Sequence, residues 1–181
     1  SYAHIKNFKN LDEIAKAKGE IINNIFPSGV MIINKDDKYC NYFISKAKVR
    51  NLNIITFSKK NKLADVVYLG ERKNKNKFFC KFLIKGKIKF FLIPNYLIDF
   101  KENILSTLSI IINYFNIDAL PVNLFLNFKI SQSRGTIIKY KNRKKNLTIV
   151  DESYNSNPLS FKFALERFDK SYKDSKKKFI L

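Results

Sequence analysis

Eight consecutive residues, Asp151-Glu152-Ser153-Tyr154-Asn155-Ser156-Asn157-Pro158, put an acid pair, a tyrosine and two asparagines between a short apolar run and the start of a helix. Leu147-Thr148-Ile149-Val150 is apolar and partly β-branched, the composition of a buried strand, while Asn157 followed by Pro158 makes an N-cap and a first-turn proline. The polar residues therefore fall where a parallel strand hands over to a helix. Backbone N–H groups are unpaired at such a place and the helix dipole favours negative charge, so the chemistry on offer is binding of a phosphate or carboxylate. Asp, Ser and Asn are also ordinary turn formers, and the loop by itself is explained equally by that.

Lys18 is a second candidate. Asn10 to Ile25 reads as a helix opened by a capping box, with Asn10 as N-cap and Glu13 three residues on. Leu11, Ile14, Ala15, Ile21, Ile22 and Ile25 define one apolar face, and Lys18 falls in the middle of it. A lysine is seldom set on a buried stripe without a partner. Either its stem lies along the apolar surface and carries the ammonium to water, or the amine is held where the neutral, reactive form is favoured. His4 is the only histidine, and one histidine near a terminus does not make a metal site unaided. Arg134, in Ser133-Arg134-Gly135, is on its own an ordinary loop arginine. No Gly-x-x-x-x-Gly-Lys-Ser/Thr phosphate loop is present, and with five glycines none is hidden.

These groups need a scaffold, and the remaining pattern supplies an α/β one. After Pro27-Ser28-Gly29, the run Val30-Met31-Ile32-Ile33 ends in the polar Asn34-Lys35-Asp36-Asp37, as a parallel strand with functional residues at its carboxyl end should. Leu52 to Phe57 repeats the pattern, and a helix from about Lys38 to Lys48 joins the two. Asp65–Leu69, Lys77–Ile84 and Lys87–Ile93, with Lys85-Gly86 as a turn, leave no room for helices and read as a small antiparallel insert. Asn103 to Phe115 is apolar enough for a buried helix, Val122–Phe128 is a shorter helix or loop, and Thr136–Tyr140 is a strand. The polar run Asn142-Arg143-Lys144-Lys145-Asn146 marks a domain boundary. It separates residues 1–141 from a second α/β unit, 142–181, whose next strand begins at Phe179-Ile180-Leu181. A chain that starts without Met and ends in mid-strand is expected to be a fragment of a longer protein.

The 181 residues carry a formal charge of +20, which invites a nucleic-acid-binding reading. Of the 35 basic residues only Arg50, Arg72, Arg134, Arg143 and Arg167 are arginines, and the lysines are spread along the whole chain. Base-reading and phosphate-clamping surfaces favour the bidentate fork of Arg, and no recognition motif accompanies the charge. A solvated, lysine-rich surface accounts for it better, and such a field also favours capture of anionic small molecules. Two cysteines, Cys40 and Cys80, are too few for a disulfide framework or a zinc site and read as reduced packing residues. No apolar stretch approaches the ~20 residues of a spanning helix and no signal peptide opens the chain, so the expectation is cytoplasmic residence; a monomer is expected as well.

Several blocks, in the same order, resemble the Mur ligase family. Asp-Glu-Ser-Tyr-Asn-Ser-Asn-Pro at 151–158 is similar to that family's Asp-Asp/Glu-Ser-Tyr-Asn-Ala-Asn-Pro signature. Ala3-His4-Ile5-Lys6-Asn7-Phe8 and Ile14-Ala15-Lys16-Ala17-Lys18-Gly19-Glu20-Ile21 resemble its Ala-His-Leu-Glu-x-Phe and Ala-Lys-Ala-Lys-Gly-Glu-Ile. Ile33-Asn34-Lys35-Asp36-Asp37 resembles its Asn-Ala-Asp-Asp, and Ser133-Arg134-Gly135 its Gly-Arg-Gly. The resemblance implies the latter part of the family's central ATPase domain, without its phosphate loop, followed by the start of the Rossmann-like C-terminal domain. It implies an ATP-dependent ligase that joins D-alanyl-D-alanine to UDP-N-acetylmuramoyl-tripeptide in peptidoglycan synthesis, the segment being inactive alone. Lys18 would be carbamylated by carbon dioxide and, with His4, would serve magnesium. Arg134, Glu152, Tyr154, Asn155 and Asn103 would bind ATP. Asp99 stands where the family's His-x-x-x-Asn block has its histidine. Folylpolyglutamate and cyanophycin ligases share the fold and the lysine, but Ser-Tyr-Asn-Ser-Asn-Pro favours the D-alanyl-D-alanine enzymes.

Overall fold

In the computed structural model the described residues are 8, 10–142, 145–154, 158–175 and 177–178. The chain divides into two units, Asp12–Phe128 and a second made of Ser1–Leu11 with Lys129–Leu181.

The first unit is built on one five-stranded sheet in the order β1 (Val30–Asn34), β2 (Asn53–Ser58), β3 (Val66–Asn74), β4 (Lys77–Ile84), β5 (Lys87–Pro94). β1 pairs in parallel with β2 from Val30↔Asn53 to Asn34↔Phe57, and β2 with β3 through Phe57↔Val66 and Ser58↔Val67. The β1–β2 crossover carries helix α2 (Cys40–Val49), as a parallel connection requires. From β3 onward the pairing is antiparallel, so the three insert strands continue the parallel sheet and do not form a separate layer. At the β4–β5 turn Lys85 has φ 46° and Gly86 φ 81°, two left-handed residues in sequence, which match the twist of the strands they join.

Helix α3 (Lys101–Tyr114) packs across β1, β2 and β3. Its Leu105 and Leu108 are fully buried, and on the sheet Val66, Ile84, Phe91 and Ile93 are equally closed to water. Each such side chain contributes about 1.5–3 kcal/mol of transfer free energy. Phe82, Phe91 and Phe125 meet edge to face, with centroids 5.8 and 5.7 Å apart, and so tie the segment after α3 to the sheet. Cys40 and Cys80 are buried and unbridged, as expected.

Helix α1 is shorter than its sequence pattern predicts. It runs from Leu11 to Gly19 and tightens into a 3-10 turn, Glu20–Asn24. The change falls at Gly19, where a Cβ would stand 3.0 Å from the Tyr42 Oη. The Tyr42 ring of α2 thus packs closely over the helix backbone at this glycine. Ile14, Ala15, Gly19 and Ile22 form the buried side. Lys18 is exposed. Its place on the apolar face is corrected accordingly: the helix tightens one residue later, and a long stem carries an ammonium to water more cheaply than burying it.

The second unit holds a two-stranded antiparallel sheet, β6 (Thr136–Asn142) and β7 (Lys145–Asp151), followed by helix α4 (Pro158–Ser171). The strand expected at 147–150 is present, and its partner among the described residues is antiparallel. Within this unit β7 pairs antiparallel with β6, and Leu147 and Ile149 are 51% and 44% exposed. A four-residue apolar run has the same composition whether one face, both or neither is covered, and only its neighbours decide. Asn142 and Lys145 face each other at the end of the ladder and Asn146 pairs with Lys141, so these three residues of the polar run belong to the strands. Phe179-Ile180-Leu181 lies outside the described residues.

Candidate functional site: a strand-to-helix loop beside an arginine turn

The β6–β7 hairpin brings together two segments far apart in sequence. Because Thr136 pairs with Asp151, the turn entering β6, Ser133-Arg134-Gly135, lies beside the loop leaving β7, Asp151-Glu152-Ser153-Tyr154. Gly135 N–H donates to the Asp151 carbonyl at 2.8 Å, and Tyr154 N–H donates to the Ser133 carbonyl at 3.1 Å. The Asp151 carboxylate accepts from Ser133 Oγ at 2.9 Å and from Ser153 N–H at 3.0 Å. Hydrogen bonds from Ser153, side chain first and then backbone, with a further one from the Ser133 hydroxyl, hold its carboxyl below the usual carboxylate value. Asp151 is therefore an ionised brace between turn and loop.

The arginine turn is conformationally demanding. Ser133 has φ 59° and Gly135 φ 87°, so both residues flanking Arg134 are left-handed. For serine that costs on the order of 1 kcal/mol, offset by its two hydrogen bonds: the hydroxyl donates to Asp151, and the N–H donates to Thr136 Oγ1 at 3.0 Å. The Arg134 guanidinium lies over the Tyr154 ring, 4.3 Å from its centroid. Glu152 is paired with Arg167 of α4. The site thus presents an exposed guanidinium on an aromatic plate, next to an acid already matched by a second guanidinium, just ahead of a helix start. Its chemistry is recognition of an anion carried on a larger group.

A second polar cluster occupies the carboxyl edge of the parallel strands in the other unit. The Asn34 side chain accepts from Asp36 N–H at 2.9 Å. The Asp36 carboxylate accepts from the Ser58 hydroxyl and from Lys59 N–H at 2.6 Å. Partial burial pushes the Asp36 carboxyl up, but the Ser58 bond and the Lys59 and Lys60 backbone bonds outweigh it and leave the group below its ordinary value. Lys59 pairs with Glu102 at the start of α3. In open α/β sheets this edge is where ligands sit.

The structure brings Arg134, Glu152 and Tyr154 together, and with them Ser133, quoted in the sequence only as part of the arginine block, and Arg167, which the sequence pattern does not single out. Ser133 was readable as a glycine substitute, but its bond to Asp151 depends on hairpin register. Arg167 carried no signal at all. Asn103 and Asp99 are both exposed, at and just before the first turn of α3. Lys18 is exposed on α1. His4 and Asn155 lie outside the described residues. Among the described residues no three His, Cys, Asp or Glu side chains gather to hold a metal, and no helix is long and apolar enough to cross a membrane.

Comparison with known proteins points in one direction. The sequence pattern of the Mur ligase middle domain matches residues 1–110. The UDP-N-acetylmuramoyl-tripeptide--D-alanyl-D-alanine ligase of Rickettsia prowazekii is 28% identical over 185 residues, which cover 99% of this chain and 39% of the relative. That of Borreliella burgdorferi is 30% identical over 190 residues, covering 100% of this chain and 37% of the relative. The chain therefore spans less than half the length of these relatives. Among solved structures, MurF from Acinetobacter baumannii superposes with a TM-score of 0.72 at 20% identity, over 92% of this chain and 35% of that one. MurF from Thermotoga maritima, in complex with ADP, superposes at 0.67 and 18% identity, over 92% and 36%. At these identities the superpositions speak to the fold.

Proposed function

This chain belongs to the Mur ligase family through its middle domain, and from that premise we propose that it is part of an ATP-dependent ligase joining D-alanyl-D-alanine to UDP-N-acetylmuramoyl-tripeptide. The observation that carries the reading is the placement of Arg134 on Tyr154 beside the Glu152 loop, in a chain whose full-length relatives bear that ligase name. The middle domain hands over to the C-terminal domain within the Lys129–Leu181 unit. The protein acts as a cytoplasmic monomer.

The reaction is amide formation in two steps. The terminal carboxylate of the tripeptide takes the γ-phosphoryl group of ATP, releasing ADP. The amine of D-alanyl-D-alanine then attacks the acyl carbon, and phosphate leaves as the amide forms and the amine gives up its proton. Arg134 meets the polyphosphate and balances its charge, held flat by Tyr154. By the family resemblance Glu152, Tyr154 and Asn155 would contact the nucleotide, as would Asn103. Lys18, exposed and open to carbon dioxide, would become a carbamate and with His4 would serve magnesium, most of whose ligands come from phosphate oxygens and water. The donors in the described part do not by themselves make a magnesium site. The phosphate loop must come from sequence outside this chain.

The test is ligation by the gene product that carries this segment together with its flanking sequence. ADP and phosphate should form only when both the UDP-tripeptide and D-alanyl-D-alanine are present, and R134A should abolish most of the turnover. A product whose upstream sequence lacks a phosphate loop, and which releases no phosphate with these substrates, overturns the reading.

A further inference from the structure

We propose that Arg167 is a positioning residue for Glu152, and that its charge is what allows the loop to accept an anionic nucleotide. The inference rests on the nucleotide reading of this loop and adds a residue that the family signature does not contain. Three observations carry it. Arg167, on the third turn of α4, reaches back to the Glu152 carboxylate, and the two side chains are 22% and 35% exposed. Glu152 Oε1 is itself shut off from solvent and has no hydrogen-bond partner that would substitute for the ion pair. The backbone has been cleared for the contact. At Gly135, with φ 87°, an added Cβ would stand 2.8 Å from Arg167 Nη2 and 3.2 Å from Glu152 Oε1.

The electrostatic consequence follows from counting charges around Arg134. Asp151 and Glu152 are two carboxylates against one guanidinium, a local excess of negative charge exactly where a polyphosphate would arrive. Arg167 cancels one of them. It also holds Glu152 by one oxygen, which fixes where the other can accept a hydrogen bond. Lysine at 167 would keep the charge and lose the fork, whereas methionine would lose both.

Arg167→Lys and Arg167→Met separate these contributions when compared with Glu152→Gln and Arg134→Ala in the same full-length product, measuring ADP binding and the split between KM for ATP and kcat. R167M should weaken ADP binding about tenfold and R167K about threefold, with kcat within about twofold. The R167M effect should largely disappear in the E152Q background, because no unpaired carboxylate is then left. ADP binding within about twofold of wild type in R167M, with E152Q still weakened, overturns the positioning role and leaves the nucleotide reading standing. Effects of R167M and E152Q that simply add also overturn it. If R134A and E152Q are both silent, the nucleotide reading fails and the proposal falls with it. Exchange protection of the Gly135 and Tyr154 amides in the 181-residue chain, measured for the two single variants and the double variant, reports independently whether the pair forms, and an absence of coupling between them rules it out.

Discussion

Asp151 does the joining at the candidate site, and its protonation state is where the site is sensitive. Its carboxyl lies below the ordinary value in the folded chain because Ser153 and Ser133 donate to the ionised form. A depressed carboxyl adds stability that is present above the unfolded value, about pH 4, and lost as pH falls through the folded one. Asp151→Asn should therefore lower the hydrogen-exchange protection of the Gly135 and Tyr154 amides at pH 7, and the gap from wild type should close as pH is taken below that value. A gap that persists unchanged to pH 2.5 would mean that packing, and not charge, holds the loop. Cys80 illustrates the opposite shift. Burial, with Glu71 adding to it, pushes its thiol up to about 12. Folded chain treated with iodoacetamide at pH 8 should leave Cys80 unmodified, while chain in urea is labelled, and peptide mass mapping reads the difference.

At the scale of elements, α3 anchors the sheet. Leu108 is fully closed to water on its buried face, so Leu108→Ala should cost about 3 kcal/mol, measured as a shift in urea midpoint at constant slope. Ile110→Ala on the outer face, where Ile110 is half exposed, should cost much less. Several elements of this unit were legible in the sequence because they have a period and clear stops: Val30–Asn34, Lys77–Ile84 and Lys87–Pro94 fall within a residue or two of their expected bounds, whereas β3 runs to Asn74, past its expected end at Leu69. What was not legible came from contacts distant in sequence. The tightening of α1 at Gly19 is set by Tyr42 from another helix. The exposure of β7 is set by its having only β6 beside it among the described residues. The loop at 151–154 was readable as a site, since acids before a helix start have a local signature. The Glu152–Arg167 pair was not, since it depends on where α4 returns.

Over the whole molecule, burial is unequally divided. Every buried apolar residue among those described, from Ile14 to Phe125, belongs to the Asp12–Phe128 unit. A chain cut after Phe128 should therefore keep its main unfolding transition with only a small change in midpoint. Amide exchange in the intact chain should show Lys129–Ser171 opening at lower free energy than α3 and β4. Loss of the transition on truncation would show that the core depends on the residues removed.

The β6–β7 hairpin has a colloidal consequence. Among the described residues each of its strands has one ladder edge unpaired, and Ile137, Ile138, Tyr140, Leu147 and Ile149 are all between 44% and 59% exposed. A ribbon of that kind is a template for edge-to-edge association, and what keeps copies apart is the like charge of Lys139, Lys141 and the rest of a +20 chain. That repulsion reaches roughly 10 Å at 0.1 M salt and about 3 Å at 1 M. The isolated chain should scatter little light in dilute buffer and progressively more as salt is added, the reverse of what is expected of a particle that aggregates through opposite charges.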